Sequence, residues 1–255
     1  MKSKPFIFGI TAVLAFNLFA IDHSNLDENR PLKMEDPYTI AHGEWALELG
    51  SGYSFERQSS DRAIFPIEIL YGAIPNLQLG LGSTLSTEPR TIEGQTRSGD
   101  LQWSALYNFN QETLSMPAFG LKTEFNFPTG VQSSGIDTEL KGLITKTFGR
   151  LGVHLNAGYH FLSGTELNGR DGNYEIVLGA SYPIGAPKYT RTVLLWDLFT
   201  EQSEQRGESN IYGTEVGFRH QLSHRTVLDF GVGSEFAGPA HRVQFYVTAG
   251  ISLAF

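Results

Sequence analysis

Residues 243–255 read VQFYVTAGISLAF, and their alternation decides the fold. Val243, Phe245, Val247, Ala249, Ile251, Leu253 and Phe255 fall on one face of an extended chain; Gln244, Tyr246, Thr248, Gly250 and Ser252 fall on the other. Successive side chains of a strand point to opposite sides, so this segment carries one greasy wall and one polar wall. In a soluble sandwich the greasy wall would face a core. In a membrane barrel it faces lipid, and the polar wall faces a lumen.

Upstream, the same period of two recurs from residue 43 onward, and helical periodicity is absent. GEWALELGSGYSFE (43–56) sets Trp45, Leu47, Leu49, Tyr53 and Phe55 against Glu44, Glu48 and Glu56. RAIFPIEILYGA (62–73) sets Phe65, Ile67, Ile69 and Tyr71 against Arg62 and Glu68. Further strands are read at 77–85, 100–109, 118–127, 137–148, 153–161, 174–182, 192–201, 211–220 and 227–236. With the closing segment this makes twelve, an even number as in bacterial single-chain outer-membrane barrels. The joins at 74–76, 111–116, 149–152 and 221–225 are short. The alternate ones at 86–98, 129–136, 163–173 and 202–210 are longer and polar. Short periplasmic turns facing long outer loops are the barrel arrangement.

Two features separate a barrel from a β-sandwich. Aromatic side chains gather near both ends of the apolar faces, as a lipid interface favours. The opposite faces carry charges at mid-strand. Pro66 sits against the pattern, because a closed barrel has no free edge on which to lose an N–H; a β-bulge is expected there. The expected fold is an all-β, transmembrane, antiparallel up-and-down barrel of about twelve strands.

Residues 1–20 read as a secretory signal peptide: Lys2 and Lys4, then the apolar FIFGITAVLAFNLFA, then Ala20. Removing that leader takes the net charge from −8 to −10. Such an acidic chain is no partner for nucleic acid. The sequence contains no Cys, which excludes a disulfide framework and a lipid anchor on Cys. The expected organisation is a signal peptide (1–20), an N-terminal segment on the periplasmic side able to tuck into the lumen (21–42), and the barrel (43–255).

The polar strand faces supply the candidate lumen: Glu44, Glu48, Glu68, Asp100, Glu124, Glu139, Glu175, Asp197, Glu215 and Asp229, with Arg62, Lys122, Lys141 and Arg219. Charges inside a barrel either pair across it or stay hydrated. A stiffened, salt-bridged interior and a hydrated acidic passage both remain open. Either way Glu48, Glu68, Lys122, Glu124, Lys141, Glu215 and Arg219 are the candidates for lining a solute path. A rim hydrolase is the enzymatic alternative, but His154 and His160 lie too far apart along one strand to cooperate, and the adjacent Ser223 and His224 have no orienting partner. No spacing of His residues suggests a metal site, and no cofactor is implied.

The closing strand with its terminal Phe255 resembles the C-terminal signature that the barrel-assembly machinery reads in bacterial outer-membrane proteins. RPLKMEDPYTIAHGEWALELGSGYSFE (30–56), GLKTEFNFPTG (120–130) and the last hairpin resemble the family of outer-membrane transporters named for the meta-pathway of phenol degradation. That resemblance implies a channel in the outer membrane of Gram-negative bacteria, associated with small, often aromatic or apolar, solutes. The expected function is passive uptake or binding of a small solute, the expected partners being membrane lipid, the assembly machinery and that solute. A non-conducting structural or adhesive barrel is the alternative.

Overall fold

The computed structural model describes residue 26 and residues 30–58, 61–87, 96–130, 134–163, 168–186 and 189–255. The leader read at 1–20 lies outside the described residues. The strands are β1 (Trp45–Glu56), β2 (Arg62–Ile74), β3 (Leu77–Thr87), the short β4 (Thr96–Ser98), β5 (Leu101–Asn110), β6 (Ala118–Phe127), β7 (Asp137–Phe148), β8 (Leu151–Phe161), β9 (Gly172–Ile184), β10 (Thr192–Glu201), β11 (Ile211–Ser223), β12 (Thr226–Ala237) and β13 (Val243–Ala254). Twelve of them form one antiparallel meander in which β13 pairs with β1 and the ring is complete; β4 is an appendix on the end of β3. Closure leaves every long strand with two neighbours, so among the described residues the sheet has no long strand at a free edge.

The ring closes at the stretch that opened the reading. Ala46 pairs with Ala254 and Tyr53 with Val247. Phe255 exchanges backbone bonds with Trp45, donating at 3.0 Å and accepting at 3.3 Å.

Turns 75–76, 149–150 and 224–225 lie at one end, together with the joins 111–117 and 185–191. The longer connections lie at the other. Asn76 and Gly149 adopt the left-handed backbone that such tight turns need (φ 68° and 67°).

Outward positions keep their apolar side chains exposed: Leu178, Leu194, Trp196, Val216 and Phe230 are all more than a third exposed. Aromatic pairs gather toward both ends, Trp45 stacked on Tyr71 at 4.4 Å by the turns and Phe55 beside Phe245 by the loops. An apolar band rimmed by aromatics is what a bilayer interface selects.

Pro66 is accommodated without the expected bulge. It pairs with Thr84 of β3 in unbroken register. Toward β1 the register is the same on either side of it, but positions 50–51 and 65–66 drop out of the ladder. Gly50 opposite makes this feasible, because a Cβ there would meet the proline ring at 2.7 Å. The missing N–H is absorbed by a gap in one ladder rather than by an inserted residue.

Candidate functional site: a strapped lumen

The segment before β1 runs inside the barrel and touches its walls in turn. Arg30 starts it at the closing seam. Its Nη2 lies 3.0 Å from Glu48 Oε2 and 3.8 Å from Asp229 Oδ2, and donates to Ser252 Oγ at 2.8 Å. Thr248 donates to the carbonyl of Pro31 at 2.7 Å. The Lys33 amide donates to Glu215 Oε2 at 2.5 Å, while its Nζ reaches Glu175 at 2.6 Å and Glu201 at 3.4 Å. The Met34 amide donates to Asp197 at 3.2 Å.

Asn156 then grips the strap as a neighbouring strand would. Its Oδ1 accepts from the Glu35 amide and its Nδ2 donates to the Glu35 carbonyl, both at 2.8 Å. Lys122 pairs with the Glu35 carboxylate at 3.2 Å. Asn108 donates to Pro37 O at 2.9 Å, Gln78 accepts from the Ile40 amide at 3.0 Å, and the Gly43 amide closes onto Gly72 O at 2.8 Å. Residues 30–43 thus visit β1, β13, β12, β11, β10, β9, β8, β6, β5, β3 and β2. Extended backbone buried in a lumen must find partners for its amides and carbonyls, and here wall side chains supply many of them.

The wall makes room by omitting side chains. A Cβ on Gly179 would overlap the Met34 side chain, one on Gly120 would meet Pro37 Cβ at 2.7 Å, and one on Gly231 would meet Pro31 O at 2.5 Å. Gly158 has a related role. It stands between Lys141 and Glu175 in register, and Lys141 Nζ reaches across it to within 3.9 Å of Glu175 while lying 3.0 Å from Glu139. Lys141 is 1% exposed.

The strap divides the interior. Toward the turns lies a vestibule of about 660 Å³, bordered by Tyr38, His42, Asn76, Gln111 and Arg150. Toward the loops lies a chamber of about 290 Å³, bordered by Lys33, Glu68, Gln102, Lys122, Glu235 and Tyr246. The chamber wall mixes carboxylates and ammonium groups with the apolar surfaces of Leu32, Ile64 and Pro66.

No family model and no curated protein matches the chain. Solved structures do. An outer membrane channel from Pseudomonas putida F1 superposes with a TM-score of 0.69 at 14% identity, covering 91% of this chain and all of that one. The NanC porin gives 0.61 at 9% identity, over 81% of this chain and 98% of that one. The KdgM porin gives 0.52 at 13% identity, over 82% and 99%. The barrel shares its fold with outer membrane channels and porins.

The residues singled out in the sequence divide into several groups. Glu48, Lys122, Glu124, Lys141, Glu215 and Arg219 all point inward and are buried, and Glu68 is half-buried on the chamber wall, where Ser104 donates to it at 3.0 Å. Glu48, Lys122 and Glu215 hold the strap directly. Glu124 and Glu139 are register partners, as are Lys122 and Lys141, so β6 and β7 present two like-charged rows whose attraction runs between rows. Arg219 faces Asp229 directly. Two of the wider set lie elsewhere: Arg62 is exposed at the loop rim, and Asp100 precedes β5 and accepts from the Gly130 amide at 2.8 Å, tethering a loop. They belong to the rim because the strand faces there run out into the outer loops.

Sequence reasoning missed the apolar half of the inner wall. Val177, Val193, Leu195 and Phe199 point inward and pack with Leu26, Leu32 and Met34. The signal was present: TVLLWDLFTE is apolar on both faces, so its inner face needed an apolar partner inside the barrel. Sequence spacing also could not bring Ser181 to His154. Their Oγ and Nε2 lie 2.9 Å apart, and Nδ1 lies 2.9 Å from Thr145 Oγ1. A hydroxyl at Nδ1 cannot stabilise an imidazolium as a carboxylate does, so this is a weak base for nucleophilic chemistry. Among the described residues no cluster of three His, Asp or Glu side chains is arranged for a metal ion.

Proposed function

We propose that this protein is a bacterial outer-membrane channel that passes or binds a small solute passively, with residues 30–43 as its constriction. The carrying observation is the division of the lumen into a vestibule and a chamber by a strap held through side-chain contacts. The folds of an outer membrane channel and two porins support this reading. An exported chain whose apolar band meets lipid fits that membrane, and Phe255, bonded to Trp45 at the seam, fits an assembly signal. The resemblance to the meta-pathway family, together with the apolar inner wall and the mixed chamber, supports a small aromatic or apolar solute. The Ser181–His154–Thr145 arrangement supports a channel over a hydrolase, for want of an acid on the imidazole.

A second reading, a structural barrel that conducts nothing, draws support from the same strap, because its buried ion pairs span the lumen. A planar bilayer separates the two. Refolded protein that shows heat-modifiable migration is expected to give discrete single-channel currents, larger when residues 30–41 are deleted. Insertion without current in the full chain would leave only the structural reading, and solubility without detergent would defeat both.

A further inference from the structure

The outer wall is not evenly greasy. Two successive outward rows cross the strands in register. The lower runs through Tyr182, Leu194, Phe218 and Phe230; the upper is cut back at Ala180 and Val216. Between the rows lies an apolar groove of about 530 Å³.

Below the groove, toward the turns, polar side chains enter the outward row between Ile184 and Leu228. Thr192 and His220 are register partners there, with Oγ1 2.8 Å from Nδ1. The turns beneath bring Arg150, Arg191 and Arg225 to the same lip, and residues 147–157, 181–196 and 217–228 contain no Asp or Glu, in a chain of net charge −8. Arg150 is held in place: it donates to Pro183 O at 2.5 Å and Gly185 O at 2.8 Å, and its guanidinium lies 5.4 Å from the centre of the Tyr182 ring. Tyr182 is itself a wall of the groove.

We infer that this groove and its basic lip hold one anionic phospholipid of the inner leaflet, phosphate against Arg150 and an acyl chain between the two rows. The inference rests on the outer-membrane reading, which puts the turns on the periplasmic side. In a bilayer any lipid satisfies an apolar groove, so the acyl chain supplies shape and little selectivity. Selectivity comes from the headgroup. A planar guanidinium fixed by two carbonyls still has donors for phosphate oxygens, and basic side chains at a membrane surface favour anionic lipid.

Trp196 lies on the groove and provides the probe. With Trp45→Phe and Trp103→Phe, it is the remaining tryptophan. In phosphatidylcholine bilayers, phosphatidylglycerol brominated on its acyl chains is expected to quench Trp196 with about fivefold preference over brominated phosphatidylcholine. Arg150→Gln should bring that ratio close to one, and Arg150→Lys should retain part of it. Raising salt to about 1 M, where the screening length falls to about 3 Å, should also collapse it in the unsubstituted protein. Equal quenching by both lipids, or a preference that survives high salt and Arg150→Gln, overturns the site while leaving the barrel intact. No quenching by either lipid overturns the membrane reading as well.

Discussion

The inner and outer walls of this barrel are made from the same strands, one residue apart, yet they are specified differently. Leu178 faces lipid and needs only to be apolar. Gly179, its neighbour, must lack a side chain because Met34 lies against it. Val177, on the other side, packs on Leu32 and Met34. The outer wall is set by a period, and many side chains satisfy it. The inner wall is set by individual contacts with a strap, and few do.

The sharpest way to break this contrast is at Lys141. Removing one partner of a buried, charged cluster is expected to cost about 3–5 kcal/mol, so Lys141→Met should lower the denaturant midpoint of the detergent-solubilised barrel accordingly. A negligible change would mean that the inner charges are hydrated rather than paired. On the outer wall, Leu178→Lys near mid-strand should cost about 2–4 kcal/mol in folding into bilayers, whereas Phe245→Lys, two residues into β13 at the loop end, should cost only about 0–1 kcal/mol. Equal costs would show that depth in the bilayer does not govern that wall. A paired comparison gives the finest contrast: Gly179→Val overpacks the strap and should cost about 1–3 kcal/mol, while Ala157→Val on the lipid face stays within about 0.5 kcal/mol. If the strap constricts the channel, only Gly179→Val should also raise conductance.

The same contrast explains what could be read from sequence. Strand positions, inward and outward sides and the seam at Phe255 all follow from a period of two, which any single residue can miss without loss. Pro66 is instructive: the problem was visible, but its solution needed Gly50, a partner known only once β1 and β2 are in register. The inward direction of Glu48, Lys122 and Glu215 was legible. That the segment before β1 could enter the lumen was legible too, but not which wall groups it binds, because the path of residues 30–43 has no periodicity of its own and is dictated by the wall. Several inward glycines marked that path. Without the fold they are indistinguishable from glycines that merely relax a strand.

Arg30 has a consequence for how the molecule is made. It bonds Glu48 on β1 and Ser252 on β13, the two strands whose pairing closes the ring. Its partners are therefore brought together only by closure, although Arg30 itself precedes every described strand. The anchor of the strap and the seam of the wall are therefore one structure: loosening the β1–β13 ladder would also take apart the site that holds Arg30.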